Sequence, residues 1–127
     1  MKIVTKITRI FLGIFLLFFG LNGFFHFLPQ PEMSAEAGTF LEALASSGYI
    51  FPIVGLLEVV VGLLLIVNKF TALALVVIFP ILINAFLFHV FLDIPGIGGA
   101  LIALSLNLFL LIGYKENYKE IFRTDSL

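Results

Sequence analysis

The chain has 127 residues, of which 61% are hydrophobic and 12% charged, with a formal net charge of −1 and a mean hydropathy of +1.21. Soluble domains run about 45–50% apolar and about 25% charged, and a small domain has the most surface to cover, so seven Lys and Arg with eight Asp and Glu exclude a water-soluble fold. The same balance excludes the basic face that nucleic acid requires, and the absence of Cys excludes disulfide exchange, Cys-ligated zinc and iron–sulfur clusters on this chain.

A bilayer core of about 30 Å needs about 20 apolar residues in a helix, and four such stretches occur, at 10–28, 49–67, 70–92 and 98–114. None alternates with the period of two that a barrel strand shows. The expected fold is therefore all-α, a polytopic membrane four-helix bundle forming one domain over 1–127, with a tail at 115–127. Lys2, Lys6 and Arg9 ahead of the first span imitate a signal peptide with a cleavage site at Ala35-Glu36-Ala37. The apolar run is too long and that site too far beyond it, so the span reads as an anchor.

Pro29 and Pro31 end the first span, because proline lacks an N–H and clashes with the preceding turn. In the loop that follows, Met33, Ala37, Phe40, Leu41 and Leu44 recur at helical spacing and Gly48 supplies a stop. A short amphipathic helix lying in the outer interface is expected there. Pro52 falls in the first turn of the second span, where it is tolerated, and Asn68-Lys69 turns the chain into the third. Pro80 is expected to kink the third span, and Asp93-Ile94-Pro95-Gly96 separates it from the fourth.

Four crossings put Lys2, Lys6, Arg9, Lys69, Lys115, Lys119 and Arg123 on one side, and Glu32, Glu36, Glu42 and Asp93 on the other. The excess of basic residues marks the cytoplasmic side, so both termini are expected in the cytoplasm.

Function is sought where lipid makes a side chain expensive, at about 2.5–3.5 kcal/mol for a charge at mid-membrane. The polar residues within the spans are Asn22, His26, Glu58, Asn84, His89, Ser105 and Asn107. At about 1.5 Å per helical residue, Asn22, Asn84, Asn107 and Glu58 fall roughly 9–14 Å below the outer rim, with His26 and His89 roughly 3–5 Å below it. The expectation is a polar layer to which each helix sends one side chain, with two imidazoles above. Gly55 and Gly62 flank Glu58, Gly13 and Gly20 recur on the first helix, and Gly99, Ala103 and Asn107 form a small-residue stripe on the fourth. Small residues mark surfaces where helices approach closely in lipid, which turns Glu58 and Asn107 inward. Asn84 and His89 fit less well, standing about 140° apart on one helix. A buried carboxyl must be neutralised or held by a cationic or hydrogen-bonding partner, so Glu58 reads either as a ligand anchor or proton acceptor, or as a structural group bonded to the amides. Ser105 reads as a hydroxyl back-bonded to its own helix. Two His and one Glu invite a metal, but His26 and Glu58 differ by roughly 10 Å in depth, so no metal is assigned. A weak repeat relates 22–28 to 84–92, which would bring the two Asn/His sets around a shared cavity.

Arg9-Ile10-Phe11-Leu12-Gly13, Gly20-Leu21-Asn22-Gly23 with Phe25-His26-Phe27, Gly48-Tyr49, and above all Pro52-Ile53-Val54-Gly55-Leu56-Leu57-Glu58 with Gly62 resemble the DoxX family of small four-helix membrane proteins. The likeness runs over 9–114. It implies a bundle in the bacterial cytoplasmic (inner) membrane, in a family whose members include proteins associated with thiosulfate:quinone oxidoreduction, with redox-stress complexes, and with chaperoning or export.

Three functions remain open when the residues are taken with that resemblance, which is what implies a redox association. The first is an accessory, redox-associated protein without autonomous catalysis, or at most a subunit of a quinone-linked oxidoreductase. It would hold a small hydrophobic ligand such as a quinone through Glu58, Asn22, His26, Asn84, His89 and Asn107, with phenylalanine-rich walls. The second is an assembly partner or chaperone for another membrane protein, with the polar layer purely structural. The third is a proton-coupled transporter, for which four helices leave little room unless the chain forms a homo-oligomer.

Overall fold

The computed structural model describes residues 2–125, and every regular element among them is helical. The helices are α1 (Lys2–Phe25), α2 (Ala35–Ser46), α3 (Ile50–Val67), α4 (Thr71–Leu92) and α5 (Ile97–Gly113), with 3-10 turns at Ile94–Gly96 and Lys115–Tyr118. The expected tail at 115–127 is described as far as residue 125. α1, α3, α4, and α5 together with the turn before it, are each long and apolar enough to cross a bilayer, and they pack as a bundle. The chain is a multi-pass membrane protein. Large apolar side chains cover its outside, with Phe11, Ile14, Leu56, Leu73 and Ile102 all exposed where acyl chains would lie.

The helices α3, α4 and α5 begin and end within a residue of the last three expected spans, whereas α1 is displaced from the first. α1 starts at Lys2 rather than residue 10, because hydropathy marks the apolar run and no helix breaker precedes it. It also stops at Phe25, before the prolines. His26 takes the left-handed conformation at φ 52°, its N–H bonds to the Asn22 carbonyl at 2.8 Å, and the Asn22 side-chain oxygen accepts from the Leu28 N–H at 2.9 Å. Leu28 precedes Pro29 and so avoids the helical region, and Asn22 supplies the partner that its N–H would otherwise lack.

The tightest packing joins α1 to α3. A Cβ on Gly13 would stand 2.8 Å from the Gly62 carbonyl oxygen, and one on Gly62 would stand 2.7 Å from both the Gly13 oxygen and the Leu17 nitrogen. A Cβ on Gly20 would stand 2.9 Å from the Glu58 Cβ. The two backbones touch, which is how helices gain dispersion energy where lipid removes the hydrophobic incentive to associate. Arg9 lies four residues before Gly13 on the same stripe and is buried. Its guanidinium donates to the Leu65 carbonyl and, at 3.4 Å, to that of Ile66, in the last turn of α3 where no helical N–H reaches. The Asn68 and Lys69 N–H groups cover Leu64, with Asn68 left-handed at φ 57°. The Leu64, Leu65 and Ile66 carbonyls at the end of α3 therefore all have partners.

α4 and α5 close the bundle through Ala74, Leu75, Ile78 and Leu82 against Ala103, Asn107 and Leu110. α4 runs unbroken through Pro80, whose ring lies on the exposed side. α2 lies across the end opposite the basic residues, with Ala37 buried. Ser34 fastens it there: its hydroxyl accepts from the Ala37 N–H at 3.2 Å and donates to the Leu92 carbonyl of α4 at 3.1 Å. At the basic end, Tyr118 donates to the Ala72 carbonyl at 2.8 Å and draws the tail against α4. Burial, and after it the neighbouring Tyr114, raise the Tyr118 pKa.

The glycine contacts have a testable asymmetry. Gly62→Val forces backbone apart and is expected to destabilise the bundle by about 3 kcal/mol or more. Gly98, beside which an added Cβ meets nothing within 4 Å, is expected to gain about 0.5–1 kcal/mol on replacement by Ala. Unfolding in detergent checks both, and equal effects at the two positions would refute the close approach.

Candidate functional site

α2 and the upper part of α3 form a ridge with a cleft on either side. The larger cleft, of about 1020 Å³, lies between α1 and α3 beneath the 28–31 segment and α2. Asn22, His26 and Glu58 line it, with Phe19, Leu41 and Phe51 among its apolar walls. The smaller, of about 370 Å³, lies between α3 and α4, and Asn84, His89 and Asp93 line it with Phe40, Ile81 and Phe88. Phe51, Val54, Met33 and Leu41 face both, so a thin wall of side chains divides them.

Glu58 reaches the large cleft because Gly20 removes the side chain that would otherwise cover its stem, and Gly55 leaves space one turn above that the Phe24 ring enters. Among the described residues no side chain hydrogen-bonds the Glu58 carboxyl or pairs with it in an ion pair. It is half-buried rather than sealed, at a cleft wall instead of a bundle axis. Asn22 is likewise half-buried. Its oxygen is engaged by the Leu28 N–H, which leaves the Nδ2 donor to face the cleft. His26 is exposed, lifted off the α1 surface by its left-handed backbone.

The single polar layer expected from the sequence is not formed. The large cleft gathers Glu58, Asn22 and His26, while Asn84 and His89 fall across the ridge and Asn107 falls in neither cleft. The physical reason is the buried stripe of α4, which runs Thr71, Ala74, Leu75, Ile78 and Leu82. Asn84 is two residues past Leu82 and so points off that stripe, into the groove, where it is exposed. His89, about 140° from Asn84 on an ideal helix, reaches the far edge of the same groove. The 22–28 and 84–92 segments differ in backbone: His26 follows its helix, whereas His89 lies within α4. Their similarity of composition does not produce a shared cavity.

Two residues take structural roles that sequence spacing hints at. His89 Nδ1 meets the Asp93 carboxylate at 3.0 Å and the Asp93 carbonyl at 3.1 Å, an i,i+4 pair that closes the end of α4. Asn107 is fully buried, and its Nδ2 donates to the Leu75 carbonyl at 3.2 Å while its Oδ1 has no partner. Ser105, by contrast, is exposed on the outside of α5. Among the described residues no three His, Asp or Glu side chains gather as metal ligands would.

No protein-family model matches the chain, and no curated protein or solved structure matches it. What the site does must therefore be argued from its own geometry.

The position of Asn107 makes a prediction. The Leu75 carbonyl lies in mid-helix and already has its helical partner, so removing the amide orphans nothing and eliminates an unsatisfied oxygen. Asn107→Leu, close in volume, is expected to change stability by less than about 1 kcal/mol and to leave any ligand of the large cleft bound. Loss of such a ligand on that substitution would restore the common layer.

Proposed function

We propose that this protein is a DoxX-like component of the bacterial cytoplasmic membrane, with its basic end in the cytoplasm. In this reading it holds a small hydrophobic, carbonyl-bearing molecule, best represented by a quinone, in the cleft between α1 and α3. The observation that carries the proposal is the convergence of Glu58, Asn22 and His26 on one apolar-walled cleft of about 1020 Å³. Small-molecule sites usually occupy about 300–1,000 Å³, with mostly apolar walls and a few oriented polar groups.

The chemistry follows from the donors. An Asn22 amide with its Nδ2 unengaged can donate to a ring carbonyl, and a protonated Glu58 carboxyl can donate to another. Phe19 and Phe51 flank the same space and suit a planar ring. Glu58, when ionised, can accept a proton from a reduced ring hydroxyl, which suits a protein that loads, stores or presents a redox ligand to a partner. Three polar groups contributed by the α1 and α3 sides of the cleft, with no nucleophile–base pair beside them among the described residues, support binding without autonomous catalysis.

Mass spectrometry of lipid-soluble molecules retained through mild purification tests the proposal. Wild type is expected to carry quinone, Asn107→Leu to carry as much, and Glu58→Gln to lose a few-fold. Glu58→Ala with Asn22→Ala is expected to lose at least about ten-fold, one hydrogen bond being worth about 1–1.5 kcal/mol. Quinone retention equal in wild type and the double variant would contradict ligand binding in this cleft. It would favour the assembly-partner function instead.

A further inference from the structure

The basic end of the bundle holds a third cavity, of about 620 Å³, that the proposed ligand site does not use. Lys2, Lys6 and Arg9 of α1 line it, together with Thr5, Asn68 and Tyr114. Three cations, two hydroxyls and an amide therefore surround one space that no carboxylate of the described residues lines. Two of the acids of this end are engaged elsewhere, Glu116 with Lys119 at 2.9 Å and Glu120 with Arg123 at 3.0 Å, and Asp125 lies exposed in the tail and does not line the cavity. Lys2 and Lys6 have no ion-pair partner among the described residues.

Several carbonyls of the negative helix ends nearby already have partners. Arg9 takes the Leu65 and Ile66 carbonyls of α3, and the Tyr114 N–H takes that of Leu110 in α5 at 2.9 Å. This leaves the cavity with a net positive lining. Its depth fixes what it meets. Arg9 is buried against the apolar body, and Lys6 and Lys2 lie about one and two turns outward along α1, at the level where acyl chains give way to headgroups.

We infer that this cavity binds a phosphate group, and that its source in the membrane is the headgroup of an anionic phospholipid. Arg9 forms the floor while Lys2, Lys6 and the Thr5 and Tyr114 hydroxyls supply donors to the phosphate oxygens. Basic pockets between membrane helices attract acidic headgroups through the same forces, with each Lys near the surface contributing several-fold in affinity. The bound lipid would seal α1 against the end of α5, where Gly113 leaves Thr5 uncovered.

Native mass spectrometry of delipidated protein, titrated with phosphatidylglycerol or phosphatidylcholine, tests the site. Phosphatidylglycerol is expected to bind at least about ten-fold tighter than phosphatidylcholine, and Lys2→Gln with Lys6→Gln to lower its affinity roughly thirty-fold. Lys119→Gln with Arg123→Gln removes the same formal charge outside the cavity and is expected to leave affinity within about two-fold. Both pairs are exposed, so folding is expected to survive. Millimolar inorganic phosphate separates the sources: failure to displace the lipid assigns the site to headgroups, and full displacement assigns the same site to a free anion. Equal binding of the two lipids, or equal losses from the two double variants, would overturn the inference.

Discussion

The structure depends on backbone meeting backbone where α1 crosses α3. Lipid tails are as apolar as any leucine, so burying apolar side chains gives helices little reason to associate, and close packing has to hold them. Gly13, Gly20 and Gly62 provide it: a methyl group at any of them would collide with main-chain or Cβ atoms of the other helix. The same approach shapes the large cleft. Because Gly20 lies against the stem of Glu58, the carboxyl emerges at the edge of the helix pair, below the point where α1 ends. The early end of α1 in turn follows from Asn22, whose oxygen holds the departing chain.

The polar groups divide according to how fully they are satisfied. Arg9, Ser34, His89 and Tyr118 each close a helix end or fasten one segment to another, and their hydrogen bonds account for their burial or their place in the chain. Asn107 is partly satisfied inside the core. Glu58 and the Nδ2 of Asn22 are different, facing open volume with capacity to spare among the described residues. In a membrane protein that unused capacity points to a ligand more directly than depth does, because a purely structural carboxyl would be expected to find a partner.

Much of this was legible in the sequence, and the remainder failed for physical reasons. Hydropathy located four spans because lipid imposes a single requirement on length and polarity. The glycines marked α1 and α3 as helices with a surface of close approach, because small residues have few other uses at such spacing, while their pairing with each other is a finding of the structure. The α2 helix was readable from its apolar period and from the stop at Gly48, which adopts φ 81°. The common polar layer was not legible because residue count fixes depth along a helix, whereas the direction of a side chain depends on which face packs inward. The face of α4 is set by Ala74, Leu75 and Ile78, which leave Asn84 exposed. The displaced end of α1 was hidden by the prolines, which suggested a later stop than the one made by Asn22 and His26. Arg9 looked like a flanking charge, although its place on the Gly13 stripe was the sign that it faces α3.

The central claim is that Glu58 and Asn22 open onto one accessible cleft while Asn107 is sealed in the core. The chain contains no Cys, so single cysteines at these three positions report directly on access for a small polar thiol reagent. Labelling at 22 and 58 is predicted to run at least roughly ten times faster than at 107, and to slow when a bound ligand fills the cleft. Equal labelling at all three positions, or protection of 58 with free reaction at 107, would contradict the account.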